Sequence, residues 1–261
     1  VSLARIVNEN LCIAMRCYEA AAGGAHLAND ALSLTWSGTS YGVFNSALLL
    51  RPLPSAEELA ACLQQAQRWF SQWDVPWSIW ICHDFLPGRS KPDLGRILRP
   101  ARITELAEPP GMHTLRLAAP RRTLPPLDCV PVTDQRTRSD FAASAAAIFT
   151  LPFRAAMTIY TSPELWNTEM RGYVGYVGRQ PVSISALVPC LATVGIYSVG
   201  TLPGFQRRGY AEALLRRALA YHEGYSQLVL QTTAAGERLY KNLGFQIVTR
   251  FTVYLVENAT L

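Results

Sequence analysis

The chain has 261 residues, 49% of them apolar and only 16% charged, with a net charge of +5 at neutral pH. That is enough apolar material for one large domain or two ordinary ones, it excludes extended disorder, and no apolar run is long enough to span a bilayer. The positive excess is spread evenly, 12 basic against 10 acidic residues up to Pro126 and 12 against 9 beyond it. This weighs against a nucleic-acid partner, which needs a focused basic face, and fits an anionic small ligand held by two or three cations.

The opening "VSLARIVNENLCIAMRCYEAAAGG" places Asn8, Glu9, Asn10, Arg16 and Glu19 where a signal peptide needs unbroken apolar sequence, so the cytoplasm is the expected compartment. "WSGTSYGVFNSA", Trp36 to Ala47, mixes aromatics with small polar residues and is a candidate lining for a substrate pocket. "SALLLRPL" reads as a strand, and "PSAEELAACLQQAQRWFSQW" as a helix opened by a capping box from Ser55 to Glu58. "PWSIWICHDF" is a strand, "KPDLGRILRP" a short helix and "MHTLRLA" a closing strand. Trp69 and Trp73, four apart on the helix, and Trp77 and Trp80 in the next strand have core spacing rather than that of a ligand cage.

Prolines and arginines interrupt the periodicity in "AAPRRTLPPLDCVP", Ala118 to Pro131, and mark a boundary. Beyond it "DQRTRSDFAASAAAIF" and "RAAMTIYTSPELW" read as helices, and "GYVGYVGRQPVSISALVPC" as two strands around a turn. A third strand lies in "LATVGIYSVGTL". A helix then runs to about His222, with Ala211, Leu214, Leu215, Ala218 and His222 on its apolar face and Glu212, Arg216 and Arg217 directed away. "SQLVLQTT" is a buried strand, "AAGERLYKNLG" a short helix, and "FQIVTRFTVYLV" one bent strand or two short ones. Strand, helix, strand, helix, strand thus occurs in both halves, which suggests an internal duplication. The six cysteines form no C-x-x-C pair and no histidine cluster completes a zinc spacing, so free thiols and no metal are expected.

The informative stretch is "LPGFQRRGYAEALL". A helix N-terminus offers unpaired N–H groups and partial positive charge, Gly209 permits close backbone approach, Ala211 keeps the next position small, and Arg207 and Arg208 add charge at the mouth. These residues alone leave open an ordinary turn with two solvated arginines. In context, "SVGTLPGFQRRGYAEALL" resembles the acyl-CoA-binding signature of the GNAT N-acetyltransferase superfamily. The downstream Leu239, Tyr240, Leu243, Gly244 and Phe245 resemble its second signature. The likeness covers roughly Leu127 to Val256, and the first half resembles the degenerate copy of tandem members.

The resemblance implies an α/β (α+β) fold of two lobes, each a mixed central sheet flanked by helices, divided as residues 1–120 and 127–261. It implies transfer of an acetyl or short acyl group from acetyl-CoA to a small-molecule or peptide amine, with a non-catalytic acyl-CoA sensor as the alternative. Val199, Gly200 and Thr201 would pair with the pantetheine arm, Gln206, Arg207, Arg208, Gly209, Tyr210 and Ala211 would hold the diphosphate, and Tyr240 would act as general acid. Two departures stand out. Thr233 replaces a frequent asparagine, and the strand Ala192–Thr201 lacks the carboxylate that often serves as base. His83 and Asp84 are weaker candidates for that base, and water is the other; Cys190 reads as a small buried hydrophobe rather than a nucleophile. Acceptor and oligomeric state are open.

Overall fold

In the computed structural model, which describes residues 1–257 apart from Ser90 and Glu223, twelve strands form one continuous mixed sheet flanked by helices. The expected α/β class is the observed one. In the first half, α1 (Leu3–Arg16) precedes a meander of β1 (Ala25–Ala28), β2 (Leu32–Trp36) and β3 (Ser46–Leu49). Then α2 (Ala56–Phe70) crosses over to β4 (Trp77–Cys82), which runs parallel to β3. Next come α3 (Leu94–Ile97), β5 (Arg102–Ala107) and β6 (Pro110–Thr114). In the second half, β7 (Asp128–Pro131) is followed by α4 (Gln135–Phe149), α5 (Phe153–Tyr160) and α6 (Pro163–Trp166). The antiparallel run β7, β8 (Arg171–Val177), β9 (Gln180–Cys190) and β10 (Thr193–Thr201) leads through α7 (Tyr210–Leu219) to β11 (Gln227–Gln231), parallel to β10. The half closes with α8 (Ala234–Asn242) and β12 (Gln246–Glu257).

Both halves therefore contain two parallel strands joined by one helix, a right-handed crossover in nearly all such units. The halves exchange the next strand of the sheet. The strand beside β11 is β6 from the first half, and the strand beside β4 is β12 from the second. β12 makes both connections: Gln246 to Arg250 pair with β6, with a register shift between Ile247 and Thr249, and Phe251 to Val256 pair with β4. It is one bent strand, not two. Near its end it also takes β5. The expected division between 120 and 127 falls in the connection from β6 to β7, yet hydrogen bonding crosses it in both directions. Residues 258–261 of the expected second domain lie outside the described residues.

Local chemistry explains the elements and corrects some expectations. Ser55 Oγ accepts from Glu58 N, but the Glu58 carboxylate bonds Arg51 instead of closing the box. The reciprocal capping box is at α4, between Asp134 and Thr137. α1, β1, β2, β5 and β7 were not anticipated as elements. The strand expected in "MHTLRLA" starts at Pro110 and ends at Thr114. The tryptophans pack as expected: Trp77 is buried and stacks on Phe70 at 4.7 Å, while Trp73 stacks on Trp36 at 4.5 Å and meets Trp69 edge-on. Each fully buried ring of this size contributes on the order of 2 kcal/mol. A continuous core joins α1 and α2 to α4–α6 across the halves, and a second core lies under α7.

Candidate active site

β10 and β11 are paired only from Thr193–Gln227 to Ile196–Leu230. Beyond Ile196 the strands part, and the cause is local. A bulge against β9 between Tyr197 and Gly200 inserts one residue, and Ser198 takes a left-handed φ of +48°. A bulge bends the strand that carries it, and here it turns β10 away from β11. The opening is the floor of a cleft of about 750 Å³.

Its walls gather most of the residues predicted from sequence. Val199, Gly200, Thr201, Gln206, Arg207, Gly209, Tyr210, Ala211 and Tyr240 all line it. Arg208 does not; its guanidinium lies over the Phe205 ring, 5.7 Å from the centroid, which leaves only its backbone N–H for the loop. Gln206 lines the rim but is tied to the loop it belongs to, its Nε2 donating to Thr201 O at 3.2 Å. Gly200 has two structural duties as well. Its carbonyl accepts from Ser183 Oγ at 2.6 Å, and a Cβ on it would lie 2.3 Å from Ile148 of α4.

At the mouth, Gly209 is the N-cap of α7 with φ +97° and no side-chain cap, and Arg207 has φ +62°. N–H groups at an uncapped helix start, preceded by left-handed residues, form an anion-binding concavity. Those residues fit a phosphate-sized anion. The matching helix of the first half is closed to such a ligand: Ser55 caps it, and Glu57 and Glu58 occupy its first turn. Among the described residues Glu212 is the one carboxylate in the lining, and Arg216 bonds it through Nε at 3.0 Å and Nη2 at 2.8 Å. Arg216 and Arg217 were expected to face away; they bond instead to the carbonyls of Ala118 and Leu127.

Tyr240 sits in the wall, 7% exposed, edge-on to Phe245 at 5.6 Å. Burial pushes its phenol well above the ordinary value, so the proton is retained at neutral pH. Thr233 lines the cleft and caps α8, accepting from Gly236 N at 3.3 Å. His83 and Asp84 do not line the cleft. Their side chains meet β12, His83 Nε2 at 2.7 Å from Thr252 Oγ1 and Asp84 Oδ2 accepting from Thr249 Oγ1 at 2.6 Å. Cys190 is also elsewhere, in a small pocket beside α1. Trp36–Ala47 does not line the cleft. Its Phe44 packs edge-on against Tyr160 at 5.9 Å and at a tilt against Tyr18 at 5.0 Å. Among the described residues, no group of three or more His, Cys, Asp or Glu is placed to hold a metal, and no helix is long and apolar enough to cross a membrane.

Sequence reasoning missed Arg122, which lines the cleft and donates from Nη1 to Arg207 O at 3.3 Å. Its signal was the arginine pair in the proline-rich connection, read only as punctuation.

Residues 168–247 match the model of the acetyltransferase (GNAT) domain. The fold is that of a GCN5-related N-acetyltransferase from Kribbella flavida, at TM-score 0.70 and 17% identity over 100% of this chain and 97% of the other. A GCN5-related N-acetyltransferase from Sphaerobacter thermophilus aligns at TM-score 0.53 and 14% identity, covering 87% and 80%. A tandem GNAT protein from the clavulanic acid biosynthesis pathway aligns at 0.53 and 11%, covering 86% and 77%. No curated protein matches the chain in sequence.

Proposed function

We propose that the chain transfers an acetyl or other short acyl group from an acyl-CoA to the amine of a small molecule or peptide. One observation carries this reading: the parted strands β10 and β11, the uncapped start of α7 and the buried Tyr240 share a single cleft. A bound acyl-CoA supplies the activated acyl group as a thioester. The backbone N–H groups from Arg207 to Ala211 and the Arg207 side chain bind its diphosphate. The free edge of β10 at Val199 to Thr201 orients the pantetheine amides as an added strand. A backbone N–H near Val199 would stabilise charge developing on the acyl oxygen. Tyr240 holds a proton at Oη for the departing sulfur.

Glu212 is engaged with Arg216 and β10 bears no carboxylate, so the amine proton leaves through water. That same shortage favours the second reading, a non-catalytic acyl-CoA sensor. The six free cysteines suit a reducing compartment, and the reading implies the cytoplasm.

The deciding experiment gives the purified chain acetyl-CoA and a panel of amines, and follows thiol release and the mass of the products. Amine-dependent thiol release with a product heavier by one acetyl group supports the enzyme. Acetyl-CoA binding without release for any amine selects the sensor.

A further inference from the structure

We propose that the connection between the halves supplies a binding residue, Arg122, to the diphosphate end of the cleft; the proposal rests on the acyl-CoA reading. The connection leaves β6 at Thr114 and is fastened at both ends to the second half. Ala118 N donates to Leu243 O at 2.9 Å, and Ala118 O accepts from Arg216 of α7. Further on, Leu127 is buried and its carbonyl accepts from Arg217 of the same helix. Leu117 and Leu124 pack on the core beneath α7. Between these anchors residues 119–123 are exposed and reach the start of α7. There Arg122 Nη1 donates to Arg207 O, and a Cβ on Gly209 would lie 3.1 Å from Arg122 Nη2 and 3.1 Å from Pro125 Cδ.

Electrostatics argues that this placement serves a ligand. The start of a helix is its positive end, where a cation is unfavourable and an anion favourable. Yet Arg122 is held against it beside Arg207 of the same loop. Among the described residues neither arginine pairs with a carboxylate, and Glu212 of the first turn is taken by Arg216. A diphosphate at the loop would reverse the sign of this local balance. One of the five guanidinium N–H donors of Arg122 is spent on Arg207 O, and the rest remain for charge-assisted bonds to phosphate oxygens. The connection is therefore part of the site, and Arg122 is carried to it from outside the segment that bears the acyl-CoA signature.

The test measures the affinity of the full chain for CoA, dephospho-CoA and pantetheine by calorimetry. Dephospho-CoA keeps the diphosphate and lacks the 3′-phosphate; pantetheine lacks both. Arg122→Gln should weaken CoA and dephospho-CoA alike by about tenfold, the weight of a charge-assisted bond, and leave pantetheine unchanged. Arg122→Lys should recover part of the loss, since charge is kept and the fork is not. Unchanged CoA affinity in Arg122→Gln, a loss confined to CoA, or an equal loss for pantetheine would each overturn the assignment. A wild-type chain that binds none of the three would instead overturn the acyl-CoA reading on which it stands.

Discussion

Tyr197 Oη, on the strand that opens the cleft, donates to Asn10 Oδ1 of α1 at 2.8 Å, and Asn10 Nδ2 in turn donates to Val188 O at 3.1 Å. A helix of the first half thus fixes β10 at the residue where it leaves β11. Asn10 is buried, so its removal leaves both partners short of a bond. Asn10→Ala should lower stability by about 2 kcal/mol, seen as an earlier urea midpoint with an unchanged slope. A midpoint equal to wild type would show that the pair does not hold the strand.

Gly195 lies under the same amide: a Cβ there would be 1.7 Å from Asn10 Oδ1 and 2.5 Å from the Tyr197 ring. Gly195→Ala should destabilise more than Asn10→Ala. The double variant Gly195→Ala with Asn10→Gly should be more stable than Gly195→Ala alone, because the closest clash, with the Asn10 amide, is gone and only that with the Tyr197 ring remains. Additive losses in a denaturation cycle would contradict this.

Tyr240→Phe deletes one hydroxyl and keeps the ring that meets Phe245. CoA affinity should hold, while the rate constant for acyl transfer falls about a hundredfold, the contribution of a positioned acid. A variant with full rate would mean that the sulfur takes its proton from water.

Gly209 adopts φ +97°, a conformation that costs a side-chain-bearing residue about 1–2 kcal/mol. A Cβ would also press on Arg122 and Pro125. Gly209→Val should therefore weaken CoA binding at least tenfold by displacing the loop and the connection together. Calorimetry on the folded variant that returned wild-type affinity would move the phosphate site elsewhere.

Stability should fall on both sides of neutrality. His26, His83 and His222 all sit below the ordinary imidazole value, chiefly through burial. Their contribution is present above about pH 6.5, the unfolded value, and is lost as pH drops through the folded values, because the unfolded chain binds more protons. Tyr18, Tyr197 and Tyr240 are raised, again first by burial. Their contribution is complete below about pH 10 and disappears as pH climbs through the raised values. A melting temperature measured across pH should show a neutral plateau with losses at either end; a steady rise through the alkaline range would be inconsistent with buried phenols.

The second half was legible because its periodicity and its turn chemistry agree locally. Gly178 and Arg179 turn β8 into β9, Gly209 opens α7, and Gly244 follows α8 in left-handed conformation. The exchange of β6 and β12 was not legible, since apolar alternation identifies a strand and says nothing of its neighbour. Arg216 and Arg217 looked like a solvated face because the carbonyls they bind belong to a segment some ninety residues away. Arg208 and Arg207 look equivalent in sequence. Only the left-handed backbone at Arg207 and the Phe205 ring beside Arg208 separate them.

β12 comes after every other described strand and lies in the interior of the sheet, between β4 and β6. On a ribosome the preceding strands must wait, with the edges of β4 and β6 uncovered, until the segment that joins them emerges. Such long-range closure makes folding slow and leaves open edges exposed to other chains in the interval. The two halves therefore mature together rather than in succession, and a nascent chain halted before β12 should need a chaperone to stay soluble.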